Sequence, residues 1–152
     1  MALEFNSIGI KVKYCVSSSG STRPTSSYTE IPDVKQIGEI AMQPNQIEVS
    51  NLVDQYKRYI PGLKDVGSDI QLTCNLTNNL KTIWASCVSA AEAAWASGKS
   101  TWFEIAIPNF DSFFFAGLPS EMGISGVDVD SVVEAQLHII PNEITGWATA
   151  ST

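Results

Sequence analysis

The chain is poor in the residue types that most site chemistry requires. It has one histidine, His138, and three cysteines, Cys15, Cys74 and Cys87, without C-x-x-C spacing. An odd, scattered set of thiols argues against a disulfide framework and against a zinc site. Cys74 and Cys87 fall on apolar faces, where buried, inert thiols are expected. No run of about 18 apolar residues occurs, which excludes a membrane-spanning helix. The N-terminus, Met1-Ala2-Leu3-Glu4-Phe5, has no basic segment followed by an apolar stretch, so no secretory signal is expected and synthesis in a reducing cytosol fits.

Catalytic signatures are equally scarce. There is no G-x-S-x-G elbow, and the glycines from Gly117 to Gly126 lack phosphate-loop spacing and a following Lys-Ser or Lys-Thr. His138 lies in a strand pattern on the face opposite Leu137 and Ile139, where a half-exposed structural histidine is a plainer reading than a general base. Asp128 and Asp130, with Glu121 upstream, do not have the twelve-residue order of a calcium loop and read as a solvated turn. Neither an enzyme nor a metal or cofactor site is expected.

Charge is thin as well. Only 16% of residues are charged, against a usual value near 25%. Nine Lys and Arg against 16 Asp and Glu give −7, which argues against tight binding to phosphates. Low charge density fits a surface covered by copies of the same chain, and it fits an ordinary Ser/Thr/Asn-rich surface equally well. The 152 residues, 44% of them hydrophobic, suffice for one core and one domain, 1–152.

What is present is mostly strand pattern. Ile8, Ile10, Val12, Tyr14 and Val16 alternate with polar residues, the period of a half-buried strand. Ser17–Ser27 has almost nothing to bury and is expected to be a mobile surface loop. Tyr28–Ile31 and Gln36–Ala41 read as short strands, followed by longer ones at Gln46–Ser50 and Asp69–Leu76. From Leu80 the period changes: Leu80, Ile83, Trp84, Cys87, Val88, Ala91 and Trp95 form one stripe of a helix, capped by Asn78 or Asn79 and ended by Gly98. Trp102–Ile107 and Val132–Ile139 alternate again. Phe113–Leu118 is a short apolar run, as in a strand buried on both faces or at a subunit contact. The tail, 141–152, offers only Ile144 and Trp147 as anchors, and its end is expected to be loose in a monomer. These elements define an α+β, mainly β fold: an antiparallel β-sandwich or open barrel with one packed α-helix.

Between Gln46–Ser50 and Asp69–Leu76 the chain makes an excursion long enough to be an arm, with Pro61-Gly62 as its expected tip. Connections this long inside compact domains usually serve binding or assembly. From Val53 to Gly67, Lys57, Arg58 and Lys64 stand against Asp54 and Asp65, three basic against two acidic, a balance of +1; with −7 for the whole chain, the rest carries −8. An aromatic, mildly basic arm on an acidic body can dock on another copy head to tail, the contact type that builds rings or filaments. The alternative is an arm folded back, with Ile60 and Leu63 in the local core.

The order Glu48-Val49-Ser50-Asn51-Leu52, then Asp54, Lys57, Tyr59-Ile60-Pro61-Gly62-Leu63, Asp65 and Gly67, resembles tail tube proteins of long-tailed bacteriophages. So does the downstream helix with its strand ending at Ile105-Ala106-Ile107-Pro108; the resemblance runs from about Ile31 to Trp147. It implies a virion tail component made in the host cytoplasm, whose subunits form hexameric rings stacked into a hollow tube. DNA would pass through without specific binding, and tape measure and tail terminator proteins would be further partners. It also implies that the arm residues Tyr56, Lys57, Arg58, Tyr59, Ile60, Pro61, Gly62, Leu63 and Lys64 contact a neighbouring ring. The polar faces of the two flanking strands, Gln46, Glu48, Ser50, Asp69, Gln71, Thr73 and Asn75, hold no Lys or Arg and are the expected lumen-facing residues, with Glu104 and Glu134 as further candidates. Two alternatives stand beside this: a tube subunit of a contractile tail or secretion machine, and a monomeric β-sandwich binding module using the arm and the Ser17–Ser27 loop.

Overall fold

The structure, a computed structural model, describes residues 8–17, 22–41, 43–65 and 69–151, with backbone only at 43, 64 and 65. Among these described residues, ten strands and one helix follow in the order β1 (Lys11–Val16), β2 (Thr29–Ile31), β3 (Val34–Ile37), β4 (Gln43–Glu48), β5 (Tyr59–Asp65), β6 (Ile70–Asn75), α1 (Asn78–Ala96), β7 (Thr101–Ala106), β8 (Ser112–Pro119), β9 (Gly123–Ile124) and β10 (Glu134–Ala148). Eight of the strands form one antiparallel sheet in the order β2-β1-β7-β8-β10-β6-β3, with β9 added beside β10. β4 and β5 form a separate ribbon.

The sheet is held together by β10, which is 15 residues long and serves both halves. Its first part, Glu134 to Ile139, pairs with β6, and its second part, from Ile139 to Ala148, pairs with β8. Register shifts between Pro141 and Glu143 and between Ile144 and Gly146 bend the strand as it passes from one half to the other. At that bend β8 comes so close that a Cβ on Gly117 would lie 2.7 Å from the Ile140 carbonyl oxygen, so only glycine fits. The sheet curls until β3, last in the order, lines one groove with Ile105 and Phe113 and another with Ile10, yet it does not close. The expected α+β, open-barrel-like fold with one helix is thus present.

The curled sheet and the helix enclose one core. Val12, Ile31, Ile70, Leu72, Cys74, Phe103, Phe115, Ala135, Leu137 and Ile139 face inward toward Leu80, Trp84 and Cys87. Phe103 and Phe115 stack at 5.4 Å, and Trp84 Nε1 donates to the Ser120 carbonyl at 2.9 Å, which lets a polar indole be buried. β8 is buried on both faces, as its apolar run suggests: Phe115 joins this core, while Phe114 joins Trp102 and Ala116 in a smaller cluster on the opposite face.

Several expectations need correction. The helix N-cap is Thr77, not Asn78 or Asn79: Thr77 is extended, its hydroxyl accepts from the Leu80 N–H at 3.1 Å and donates to Asp33 at 2.7 Å. At the other end Gly98 does take a positive φ of 74°, and Lys99 N–H returns to the Ala94 carbonyl at 2.7 Å. Trp95 is 60% exposed, because the buried stripe steps from Ala91 to Ala94 and the small Ala94 lets the helix end lie close to the sheet. β1 starts at Lys11, leaving Ile8 exposed, and the second short strand is Val34–Ile37. The described end of the tail is tied down: residues through Ala148 extend β10, and Ser151 donates from its N–H and hydroxyl to Glu104 at 2.9 and 2.7 Å. Of the Ser17–Ser27 loop, 18–21 lie outside the described residues. Of its described part, Arg23 lies 4.2 Å above the Phe114 ring and the Pro24 carbonyl accepts from Tyr28, while 25–27 are exposed.

The two helix tryptophans give a direct check. Trp84→Ala removes a side chain that is 1% exposed and should cost about 3–5 kcal/mol of unfolding free energy in urea titration. Trp95→Ala should stay within about 0.5 kcal/mol of the parent. Equal losses would contradict this packing.

Candidate assembly surfaces

The arm is a β-ribbon of its own. β4 pairs with β5 in the register Ile47↔Ile60 and Glu48↔Tyr59, whereas β6 pairs with β10 and β3 in the main sheet. The expected pairing of Gln46–Ser50 with Asp69–Leu76 is therefore wrong. In a two-stranded ribbon both strands are edges, so Pro61 is tolerated within β5 opposite Gln46. Pro61-Gly62 is consequently shaft and not tip. Gly62 belongs there because a Cβ would meet Ile47 Cδ1 at 3.1 Å and the Asn45 carbonyl at 3.2 Å.

The true tip runs from Ser50 to Arg58 and is held by its own polar groups. Asp54 accepts from the Asn51 N–H at 2.8 Å and from Arg58 Nε at 3.0 Å. Asn51 Oδ1 accepts from the Val53 N–H, and Ser50 Oγ accepts from the Arg58 N–H at 2.7 Å. Of the expected contact residues, Tyr56 and Lys57 sit at the tip and Arg58 fastens it. Tyr59, Ile60, Pro61, Gly62 and Leu63 lie along the shaft, and the Lys64 side chain is outside the described residues. Leu52, Val53, Tyr56, Ile60 and Leu63 are exposed, Leu63 to 85%. The arm does not fold back into the body.

The expected lumen-facing set is split by this topology. Gln46, Glu48 and Ser50 belong to the ribbon, while Asp69, Gln71, Thr73 and Asn75 belong to the main sheet on the face away from the helix. On that face Gln71 and Thr73 stand opposite His138 and Gln136 of β10, and Thr73 also stands opposite Gln36 of β3. Gln136 Nε2 donates to Thr73 Oγ1 at 3.3 Å, and His138 Nδ1 contacts the Asp69 carboxylate. Sequence reasoning missed Gln36, Gln136 and His138 as parts of this patch; the alternation of β10 carried the signal, but the pairing with β6 was needed to use it. Lys35 borders the patch and is met by Glu134 at 3.3 Å. Glu104, in contrast, is fully buried under Ser151, with Lys13 Nζ at 4.0 Å, and faces no open surface.

No chemistry is set up among the thiols. Burial pushes Cys74 up to about 11 and Cys87 up to about 12, and it also raises Cys15, so all three stay protonated near neutral pH. Among the described residues no group of three or more His, Cys, Asp or Glu converges as metal ligands.

No protein-family model and no curated protein sequence matches the chain. Solved structures do. A chain of the anti-feeding prophage baseplate, sixfold symmetrised, aligns with TM-score 0.65 at 9% identity over 96% of this chain and 97% of its own. A chain from the tail of an empty gene transfer agent particle, of C6 symmetry, aligns with TM-score 0.62 at 13% identity over 95% and 100%. The SPP1 tail tube protein aligns with TM-score 0.59 at 14% identity, over 98% of this chain and 82% of that one. The chain therefore has the fold of phage-tail and injection-system proteins, and the resemblance to tail tube proteins holds at the level of the fold.

Burial predicts the thiol chemistry. In the native protein at pH 8 a thiol reagent should modify Cys15 alone, with Cys74 and Cys87 reacting only after unfolding; labelling followed by peptide mass spectrometry counts them. Rapid native modification of Cys87 would contradict the core as described.

Proposed function

We propose that this chain is the structural, non-catalytic subunit of a long-tailed phage's tail tube, assembling as stacked hexameric rings around a channel for DNA. The observation that carries this reading is the ribbon: among the described residues Leu52, Val53, Tyr56 and Leu63 are almost fully exposed and Ile47 and Ile60 about half exposed, so their burial requires another molecule. The sixfold symmetry of two structures sharing the fold supports rings of six. Six copies at −7 each would give a ring −42, and the Gln71, Thr73, Gln136 face is suited to a bore along which DNA slides without adhering. Tape measure and terminator proteins would then meet the tube within the virion tail. Similarity to a chain of a contractile injection system's sheath-tube complex, TM-score 0.61, favours a sheathed tube as the second reading. A monomeric binding module, which could expose the same ribbon, is disfavoured by the fold shared with chains of sixfold tail and baseplate assemblies.

Arm and body should be separable. Replacing residues 50–58 with an Asn-Gly turn that joins β4 to β5 should leave the melting temperature of the subunit within a few degrees of the parent, since the flanking strands still pair. Electron microscopy of the concentrated protein should show tubes for the parent and none for the variant. Tubes of normal length from the variant would show that the arm is not the contact between rings.

A further inference from the structure

The arm and the loop before β10 lie at opposite ends of the same strands. The arm leaves the body beside Gly38, whose N–H donates to the Gln71 carbonyl at 2.7 Å, and returns at Asp69 and Ile70. At the far end of β6, Asn75 stands opposite Glu134, and Leu76 N–H donates to the Val133 carbonyl at 3.1 Å. The two features are thus separated by the length of β6, about 17 Å at 3.3 Å per residue. One marks the head of the subunit and the other its tail.

The loop, 125–133, is built to present side chains outward. Ser125 N–H is tied to the Glu134 carbonyl at 3.0 Å. Ser131 Oγ donates to the Asp128 carbonyl at 2.9 Å and accepts from its N–H at 3.3 Å, while Asp130 takes a φ of 63°. This fixed turn leaves Val127, Val129 and Val132 exposed, Val129 to 91%, interleaved with Asp128 and Asp130. From Glu121 to Val133 the chain has acidic residues and no basic one. The arm tip has the opposite character: Leu52, Val53 and Tyr56 are exposed, and with Asp54 matched by Arg58 the charge left over is that of Lys57.

We propose that the arm tip of one subunit docks on the 125–133 loop of the next, Leu52, Val53 and Tyr56 against Val127, Val129 and Val132, with Lys57 facing Asp128 and Asp130. A patch on one end that fits a different patch on the other end repeats by translation, which is what a stack requires. Apolar contact supplies the burial, and the charge pattern sets the register. The inference rests on the tube reading and names the acceptor for its arm.

Disulfide trapping tests it in a Cys15→Ser background, where the remaining native thiols are buried. Leu52→Cys and Val129→Cys proteins, mixed and assembled, should form disulfide-linked dimers, while Leu52→Cys mixed with Ser89→Cys on the helix should not. Independently, Asp128→Lys with Asp130→Lys should raise the concentration needed for tubes roughly fivefold or more, and adding Lys57→Glu should recover part of it. Circular dichroism matching the parent confirms that these surface variants are folded. Tubes without the Leu52–Val129 cross-link, or with an unchanged assembly threshold after the loop reversal, overturn the docking while leaving the tube intact. A parent protein that forms no tube at any concentration overturns the tube reading and the docking with it.

Discussion

The approach of β8 to β10 at Gly117 is the constraint on which the rest of this fold depends. Because no side chain can be placed there, the two backbones meet closely enough for β10 to bend and continue, so one strand pairs with β6 at one end and with β8 at the other. That bend brings the β6 and β8 halves around a common core and gives α1 a concave apolar surface to cover with Leu80, Trp84 and Cys87. It also aligns β3, β6 and β10, whose two ends carry the arm and the 125–133 loop.

A chain folded this way encloses its core and leaves apolar side chains exposed on its ribbon. Trp84, Phe103, Phe115 and Leu137 are enclosed by the body's own residues. The ribbon gains nothing comparable: its extensive contacts are between its own strands, and it holds Leu52, Tyr56 and Leu63 in water. Exposed apolar surface on an ordered projection is a liability for a monomer and an asset for a polymer. Thin charge is compatible with a covered surface and equally with an ordinary Ser/Thr/Asn-rich one, so the ribbon and not the charge separates the two.

Much of the body was legible in the sequence because its signals are local. The two-residue alternation of β1 and the first part of β10, the helix stripe, Gly98 and the doubly buried β8 each follow from their own residues. β7, in contrast, alternates in sequence but is buried on both faces, because Trp102 joins the smaller cluster and Glu104 lies under Ser151. What failed depends on which strands meet. Gln46–Ser50 and Asp69–Leu76 have compatible patterns, and nothing in either segment says that Tyr59–Asp65 intervenes as the partner of the first. The same gap misplaced the arm tip at Pro61-Gly62 and assembled a polar wall from two strands that belong to different sheets. Trp95 was misjudged because positions 94 and 95 both continue the stripe, and only the distance between helix and sheet selects the smaller. The ordered tail followed from a partner 47 residues away, the buried Glu104.

The central claim is that this subunit is made to repeat head to tail through its arm. Helical reconstruction of the assembled protein by electron cryomicroscopy addresses it most directly. The account predicts sixfold rings in which residues 50–58 cross the boundary between rings and rest on the neighbouring subunit, with the Gln71 and Gln136 face toward the channel. A concentrated protein that remains monomeric, or an assembly whose ring boundaries contain no part of the arm, would contradict it.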